Sequence, residues 1–334
     1  MDIFKGKSIL ITGGTGSFGQ MMIRQILKSG DAKRVIVYSR DELKQFEMSS
    51  AEGISGHPQM RYFIGDVRDR DRLSMGMREV DIVIHAAALK QVPAAEYNPF
   101  EFVATNIIGA ENVVQAALNT GVKRVIALST DKAANPINLY GATKLAADKI
   151  FIAANNLAGE LGTRFSVVRY GNVVGSRGSV VPFFQKLIDN GADHLPITDE
   201  RMTRFWITLE HGVQYVTDCL TQMHGGELFV PKIPSMRIVD LAHAMAPDLA
   251  HKIVGVRPGE KLHETMITVD DARNTAEVPG GYVIKPPLSF WQGAHAVHDL
   301  GTPVAEDFIY ASDSNTEWVS KADLLRMIEN SPHG

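Results

Sequence analysis

The sequence predicts an α/β fold built on a doubly wound parallel sheet. Short apolar runs of strand length alternate with amphipathic stretches of helix length from residue 8 onward, and this alternation is typical of a parallel sheet with helices on both faces. The length of 334 residues exceeds the usual size of one domain, so a second, smaller domain is expected. The expected strands lie at 8–12, 34–38, 61–67, 80–85, 124–128, 164–169 and 227–230, and the expected helices at 20–28, 99–120, 140–161, 181–191 and 209–223.

A glycine-rich turn follows the first expected strand and opens the first helix. Glycines at this place allow a tight turn and a close approach of the backbone to a pyrophosphate, while the helix N-terminus offers N–H donors. The pattern therefore predicts a Rossmann-type dinucleotide site. Its residues are Gly13, Thr15, Gly16, Ser17, Phe18 and Gly19.

The end of the second expected strand predicts which dinucleotide binds. An acidic residue at this position suits the ribose hydroxyls of NAD, whereas an arginine suits the 2′-phosphate of NADP. Here Ser39 and Arg40 come first, and Lys44 adds a second positive charge one turn later. The charges favour NADP. Asp41 keeps NAD open, and a solvated face formed by Arg40 and Lys44 is the alternative.

The third and fourth expected strands also end in candidate cofactor contacts. Asp66 and Val67 are expected to hold the adenine, with a plain turn as the alternative. The fourth strand runs into three alanines, whose small side chains let the backbone lie against the cofactor. Ligands of such sheets bind outside the carboxyl ends of the strands, so Lys90 is expected near the substrate. The alanines are Ala86, Ala87 and Ala88.

The candidate catalytic residues follow the fifth expected strand. Thr130, Asp131 and Lys132 emerge together at its end. Tyr140 and Lys144 stand four residues apart at the start of the next helix, a spacing that puts both side chains on one helical face.

The alternation of strand and helix weakens after the sixth expected strand. We expect residues 1–172 to form the NADP-binding domain, with its sheet completed by parts of 205–232. Residues 173–334 are expected to form mainly an interleaved substrate-binding domain.

These motifs together resemble those of the extended short-chain dehydrogenases/reductases that act on nucleotide sugars. Within that superfamily, the stretch from Ser129 to Lys144 resembles the inverting UDP-N-acetylglucosamine 4,6-dehydratases of the pseudaminic acid pathway. Retaining dTDP-glucose dehydratases carry Asp-Glu where this chain has Asp131-Lys132. Supporting matches are Ala87-Ala-Leu-Lys90-Gln-Val-Pro-Ala-Ala-Glu96, Arg201-Met-Thr-Arg204-Phe, Arg257-Pro-Gly-Glu-Lys261 and Tyr310-Ala-Ser-Asp-Ser-Asn-Thr-Glu-Trp318.

The resemblance implies a lyase that oxidises C4 of the sugar, eliminates water across C5 and C6, and returns the hydride to C6. Tyr140, its pKa lowered by Lys144 and the nicotinamide, would take the C4 hydroxyl proton while Thr130 orients that hydroxyl. We expect burial beside Lys144 and the nicotinamide charge to lower the pKa of Lys132 as well, which makes Lys132 the C5 base and Asp131 the acid at C6. The reverse assignment and a purely structural ion pair remain open.

The residues expected to bind the sugar nucleotide are mostly arginines and amides. Arginines match diphosphate oxygens bidentately, and asparagine and glutamate suit ribose or uracil contacts. A surface charge is the alternative at each position. The candidates besides Lys90 are Asn172, Arg177, Val180, Arg204, Arg257 and Glu260.

The composition bounds the partners. A net charge of −4 gives no general attraction to nucleic acid. No apolar stretch approaches the roughly 18 residues that span a bilayer and no secretory signal is apparent, so we expect no membrane partner and a cytoplasmic location. The eleven histidines show no metal-ligand spacing, so no metal is expected. A homo-oligomer is expected, because this fold commonly pairs helices between copies.

Two rival functions remain. A UDP-sugar 4- or 5-epimerase would share the fold and the Tyr140/Lys144 pair. A non-catalytic NADP-binding regulator would be expected to have lost one of these two residues, and both are present.

Overall fold

The computed structural model describes residues 3–159, 162–176, 178–291 and 294–329. None of the helices in these ranges has both the length and the apolar character needed to cross a membrane. The strands are β1 (Ser8–Thr12), β2 (Arg34–Ser39), β3 (Met60–Ile64), β4 (Ile82–His85), β5 (Arg124–Thr130), β6 (Arg164–Tyr170), β7 (Asn172–Val173), β8 (His194–Ile197), β9 (Thr203–Ile207), β10 (Leu228–Pro231), β11 (Ser235–Arg237), β12 (Ala250–Ile253), β13 (Thr265–Ile267), β14 (Thr275–Val278), β15 (Gly281–Ile284), β16 (Thr302–Pro303) and β17 (Tyr310–Ala311).

Helices connect and cover these strands. A π-helical segment, Val103–Ile108, lies between the fifth and sixth helices, and a 3₁₀ turn, Asp131–Ala133, precedes the seventh. The α-helices are α1 (Ser17–Ser29), α2 (Glu42–Ser49), α3 (Arg70–Gly76), α4 (Val92–Tyr97), α5 (Pro99–Phe102), α6 (Gly109–Thr120), α7 (Leu139–Leu157), α8 (Val180–Asp189), α9 (Leu209–Gln222), α10 (Ile238–Met245), α11 (Val269–Ala272), α12 (His295–His298) and α13 (Lys321–Glu329).

The central sheet has ten strands in the order β16-β14-β15-β10-β6-β5-β4-β1-β2-β3. The seven strands from β10 to β3 run parallel, and β15, β14 and β16 extend the sheet antiparallel. The strand order reverses between β1 and β4, which is the switch point where ligands of doubly wound sheets bind. The predicted fold class is confirmed.

Burial explains why the first β-α unit forms. Every residue of β1 is buried, as expected for a strand covered on both faces. Helix α1 buries the Met22, Ile23, Ile26 and Leu27 face against the sheet. It ends where Gly30 takes a left-handed φ of 71°, a conformation that glycine adopts without steric cost.

Residues after 172 contribute to two regions. Strands β10, β14, β15 and β16 belong to the central sheet. A separate apolar cluster, which includes Phe184, Leu195, Trp206 and Leu241, lies under the smaller sheets. The division into two domains at residue 172 stays a prediction.

Two element boundaries differ from the expected ones near the groove described below. Strand β3 ends at Ile64, so Asp66 and Val67 lie in the following loop. The expected helix 99–120 contains the π-helical segment, which places Asn106 where its side chain bonds both the N–H and the C=O of Leu89 at 2.9 Å. The π segment thereby fixes the loop after β4.

Two glycine substitutions are expected to change stability in opposite directions. A Cβ at Gly19 would lie 2.5 to 2.7 Å from backbone atoms of Gly14, so Gly19→Ala should destabilise the protein by about 1–3 kcal/mol. A Cβ at Gly212 in α9 would meet only Ile207 Cδ1 at 3.8 Å, so Gly212→Ala should stabilise it by about 0.5–1 kcal/mol. Urea unfolding measures both free energies, and equal effects would contradict the packing of the glycine turn.

Candidate active site

A groove of about 530 Å³ runs along the carboxyl ends of the central strands. All five predicted catalytic residues line it, as do all the predicted cofactor residues except Lys44. Of the predicted substrate residues, Lys90 and Asn172 line it, whereas Val180, Arg204, Arg257 and Glu260 do not. Arg177 lies outside the described residues.

The glycine turn after β1 packs against the loop after β4. Gly13 has a φ of 66°, and a Cβ there would lie 2.9 Å from the N and Cα of Ala87. No side-chain hydrogen bond caps the N-terminus of α1 at Gly16. The turn therefore presents backbone N–H groups at the floor of the groove, as a pyrophosphate site requires.

The end of β2 carries one of the two expected positive charges into the groove. Arg40 lines the groove, and its Nη1 lies 3.8 Å from Asp66 Oδ2. Lys44, in contrast, pairs with Asp41 at 2.7 Å and does not line the groove. Asp41 caps α2 by accepting a hydrogen bond from the backbone N–H of Lys44. Because the cap and the ion pair hold Lys44 at the helix, its expected place among the groove's cofactor contacts is wrong.

Asp66 is held by a neighbouring arginine. Arg68 Nη2 lies 2.7 Å from Asp66 Oδ2 and its Nε 3.0 Å away. Burial raises the pKa of Asp66, but the hydrogen bonds from Arg68 outweigh burial and bring this pKa below its ordinary value. Asp66 is therefore an anionic hydrogen-bond acceptor at neutral pH.

His85 is a buried histidine next to the groove lining, and the sequence prediction gave it no role. It is buried at the end of β4, where its Nδ1 lies 2.8 Å from Thr12 Oγ1 on the neighbouring strand. Burial, helped by the charge of Lys144, lowers the pKa of His85 to about 3. The ring is therefore neutral under the groove. Thr12 and His85 are polar residues at the ends of two apolar strands, and this pattern in the sequence could have indicated their contact.

Helix α7 positions the Tyr140/Lys144 pair. Asn138 caps the helix by accepting a hydrogen bond from Gly141 N, which fixes where the first turn begins. Lys144 is buried and its Nζ donates to Leu128 O at 2.7 Å. Burial lowers the pKa of Lys144, whereas Asp148, one turn later, raises it.

The environment of Tyr140 differs from the expected one. Burial raises the pKa of Tyr140 to about 12. The contributions that lower it come first from the charge of Lys132 and then from a hydrogen bond with Thr130. The expectation that Lys144 brings this pKa below 10 is therefore not met by the residues of the chain themselves.

Asp131, Lys132 and Glu264 form a buried cluster at the end of the groove. Asp131 Oδ1 accepts hydrogen bonds from Thr130 Oγ1 at 2.9 Å and from Lys132 Nζ at 3.0 Å. Glu264 Oε1 lies 3.2 Å from the same Nζ. Burial lowers the pKa of Lys132, but the two carboxylates raise it more, so it stands above its ordinary value.

The residues of the chain themselves therefore do not give the expected lowering of the Lys132 pKa. The charge of Asp131 raises this pKa most, and Glu264 adds to it. The prediction missed Glu264, which is 1% exposed just before β13. The available signal was the charge-dense turn at 256–264. A local sequence motif does not show that this turn folds back onto Lys132.

Arg204 lies outside the lining of the groove. Its guanidinium is buried and donates to the carbonyls of Thr203, Lys261 and Leu262 at 2.7 to 3.0 Å. Its Nη2 also lies 3.6 Å from Glu260 Oε1. Three hydrogen bonds of Arg204 thus go to backbone carbonyls, and the guanidinium does not line the groove, so its role as a diphosphate ligand stays a prediction.

The remaining substrate candidates lie in different surroundings. Asn172 lines the groove, and its buried Oδ1 has no hydrogen-bond partner in the described part of the chain. Arg257 is exposed on the 256–264 turn, and Val180 begins α8. The groove therefore brings Asn172 and Lys90 to the catalytic residues, and it leaves Arg257 and Val180 outside its lining.

Comparison with known proteins assigns the chain to a family. The family model described as "Polysaccharide biosynthesis protein" matches residues 9–286. The chain belongs to this family. A relative from Campylobacter jejuni, named UDP-N-acetylglucosamine 4,6-dehydratase (inverting), is 59% identical over 98% of this chain and 99% of the relative. A UDP-glucose 4-epimerase from Rickettsia akari is 42% identical over 84% of each chain.

These relatives confirm the predicted resemblance to the inverting dehydratases, because the named epimerase is more distant. Solved structures agree on the fold. Pen from Bacillus thuringiensis matches with a TM-score of 0.89 and 35% identity over 99% of both chains. The dTDP-glucose 4,6-dehydratase DesIV from Streptomyces venezuelae, solved with NAD and TYD bound, matches with a TM-score of 0.70 and 21% identity over 96% of both chains.

The neutral His85 should make stability fall at mildly acidic pH. Its folded pKa of about 3 lies below the unfolded value of 6.5, so only the unfolded state takes up the proton between these values. The contribution is fully present above pH 6.5 and is lost as pH falls. From pH 7.5 to 5 the wild type should lose about 2 kcal/mol of unfolding free energy that His85→Gln does not lose.

Urea unfolding at the two pH values measures this difference. His251→Gln, at an exposed position in β12, is the matched control and should keep the wild-type pH dependence. Identical pH dependence in His85→Gln and the wild type would contradict a neutral, buried His85.

Proposed function

We propose that the chain is a UDP-N-acetylglucosamine 4,6-dehydratase that inverts C5 and uses NADP. The observation that carries the proposal is the hydrogen-bonded Asp131–Lys132 pair beside Tyr140 in one groove. An oxidoreductase needs only the tyrosine and lysine of α7, whereas elimination also needs a base and an acid at the neighbouring carbons. The 59% identity to the Campylobacter jejuni relative supports the same function.

The residues of the groove fit a nicotinamide dinucleotide. The uncapped N-terminus of α1 and the close packing of Gly13 on Ala87 leave backbone N–H groups for a pyrophosphate. When bound, the nicotinamide would supply the acceptor for the C4 hydride and later its donor. NAD is present in the structure of the fold neighbour DesIV, and the choice of NADP rests on Ser39 and Arg40.

The first half-reaction depends on Tyr140. We propose that its phenolate takes the C4 hydroxyl proton, with Thr130 orienting that hydroxyl. Because the pKa of Tyr140 is raised, its phenolate needs a positive charge beside it for stabilisation. Lys132 already provides such charge, and a cationic nicotinamide would add to it.

The elimination depends on the Asp131–Lys132 hydrogen bond. The C4 ketone acidifies C5, and one proton moving across the 3.0 Å contact turns the ammonium–carboxylate pair into an amine and a carboxylic acid. Lys132 would then take the C5 proton, and Asp131 would give its proton to the departing C6 hydroxide, which leaves as water. Hydride return to C6 and a proton at C5 from the opposite face complete the inverted product.

Two further features of the protein in the cell are proposed. A homo-oligomer is supported by the exposed apolar side chains of Tyr97 and Phe100 at 87% and 74%, which a partner copy would cover. A cytoplasmic location stays a prediction from the sequence.

The function is tested by incubating the protein with NADP and UDP-N-acetylglucosamine in deuterated water. Mass spectra should show the loss of one water, and proton spectra should show deuterium at an inverted C5. A product with the mass of the starting sugar and an altered C4 or C5 would support the epimerase alternative instead. Lys132→Ala should lower turnover by at least about 100-fold while NADP still binds, and near-normal turnover would contradict the proposed base.

The preference for NADP should depend on Arg40. Arg40→Ala should raise the Kd of NADP by about 10- to 100-fold, because a charge-assisted hydrogen bond to the 2′-phosphate is lost, and should change the Kd of NAD less than about twofold. Lys44→Ala is the matched control with little effect on either. Calorimetry measures the constants, and an equal loss of NAD and NADP binding would contradict the assignment.

A further inference from the structure

Glu264 is a buried carboxylate that the function proposed above does not use. Its backbone is fixed on both sides by Ser312, whose Oγ accepts from Glu264 N at 2.9 Å and whose N–H donates to Glu264 O at 2.8 Å. The side chain is 1% exposed. A carboxylate buried this completely is stabilised only by nearby cations or hydrogen bonds.

The cations around Glu264 come from three elements. Its Oε1 lies 3.2 Å from Lys132 Nζ and 3.7 Å from Arg204 Nε, and its Oε2 lies 3.9 Å from Lys261 Nζ. Within the described residues, Oε2 has no hydrogen-bond partner. The shortest of these contacts joins Glu264 to Lys132, the residue on which the elimination depends.

The turn that carries Glu264 is anchored on the catalytic segment itself. Asn138, the cap of α7, donates from Nδ2 to Gly259 O at 2.7 Å. Lys261 Nζ donates to Ala134 O, just after the 3₁₀ turn. The carboxylate of Glu264 is thus held at a fixed place relative to Lys132 and to the helix that carries Tyr140.

We propose that Glu264 is a positioning residue, which fixes the Lys132 ammonium against Asp131 at the reacting end of the groove. A lysine has a flexible four-carbon stem, and Asp131 is its direct neighbour in the chain, so that pair alone leaves Nζ several rotamers. A second carboxylate from a distant element selects one of them. This inference rests on the proposed dehydratase function.

The charges that face Lys132 give the sign of a pH effect. Asp131 and Glu264 stabilise its ammonium, whereas Arg204 and Lys90 repel it. The hydroxyl of Tyr140 also faces it. When an amide replaces the Glu264 carboxylate, Asp131 alone offsets the repulsion from Arg204 and Lys90. The pKa of Lys132 therefore falls. The basic limb of the rate profile, which reports loss of the proton that Lys132 and Asp131 share, then moves to lower pH.

The test compares Glu264→Gln and Glu264→Asp with the wild type, using UDP-N-acetylglucosamine and NADP. In Glu264→Gln, kcat for dehydration should fall by about 10- to 100-fold, KM should stay within about threefold, and the basic limb should move to lower pH. Oxidation at C4 should keep its rate, so reduced cofactor should accumulate in a single turnover. Glu264→Asp keeps the charge and should recover part of kcat.

Glu227→Gln is the matched control for a buried carboxylate. Glu227 is 0% exposed and bonds Ser166 Oγ and the N–H groups of His224 and Gly225, and it does not line the groove. This variant should lose thermal stability while kcat and the pH profile stay within about twofold of the wild type.

The outcomes separate the inference from the function. A wild type that removes no water refutes the proposed function. A dehydrating wild type with unchanged kcat and pH limb in Glu264→Gln overturns the positioning role, as does an equal slowing of C4 oxidation and elimination. If Glu264→Gln does not fold, Glu264→Asp decides: a wild-type elimination rate overturns the inference, and a drop of at least about fivefold without slower C4 oxidation supports it.

Discussion

The ion pair of Lys132 with two buried carboxylates is the interaction on which the site depends. One carboxylate, Asp131, comes from the end of β5, and the other, Glu264, comes from the C-terminal half just before β13. Removing either partner from a buried cluster leaves an uncompensated charge, which costs far more than the net value of an exposed pair. The contacts of Lys132 therefore also join the turn that carries Glu264 to the segment that follows β5.

The redox residues and the elimination residues have different electrostatic surroundings. Lys144 is buried next to a carbonyl and has a lowered pKa, whereas Lys132 is buried between carboxylates and has a raised one. His85 below the groove stays neutral. Two lysines twelve positions apart in the sequence thus have opposite pKa shifts, because burial dominates at Lys144 and the two neighbouring carboxylates dominate at Lys132. These opposite pKa shifts suit the proposed reaction, which needs a cation beside Tyr140 and an exchangeable proton beside Asp131.

The parts of the site that follow from local sequence were predictable. The glycine turn after β1 and the pair on the first turns of α7 are set by contiguous residues and by helical spacing, and the structure places both in the groove. The partners of Arg204, Lys44 and Glu264 were not predictable in the same way. Lys44 pairs with the neighbouring cap residue Asp41, whereas Arg204 contacts Glu260 and Lys261, more than 50 positions later, and Glu264 contacts Lys132, more than 100 positions earlier.

The sequence alone predicts the doubly wound parallel sheet and the residue types at the carboxyl ends of β1, β2, β4 and β5, because hydrophobic periodicity and glycine placement are local properties of the chain. The spatial order of the strands and the antiparallel strands β14, β15 and β16 are known from the structure. The pKa values of Lys132 and Tyr140 and the contacts of Arg204 depend on the charges and carbonyls within a few ångströms, and the tertiary fold brings these together. Residues of the 256–264 turn reach Lys132 and Arg204, whereas burial raises the pKa of Tyr140, and Lys132 and Thr130 lower it.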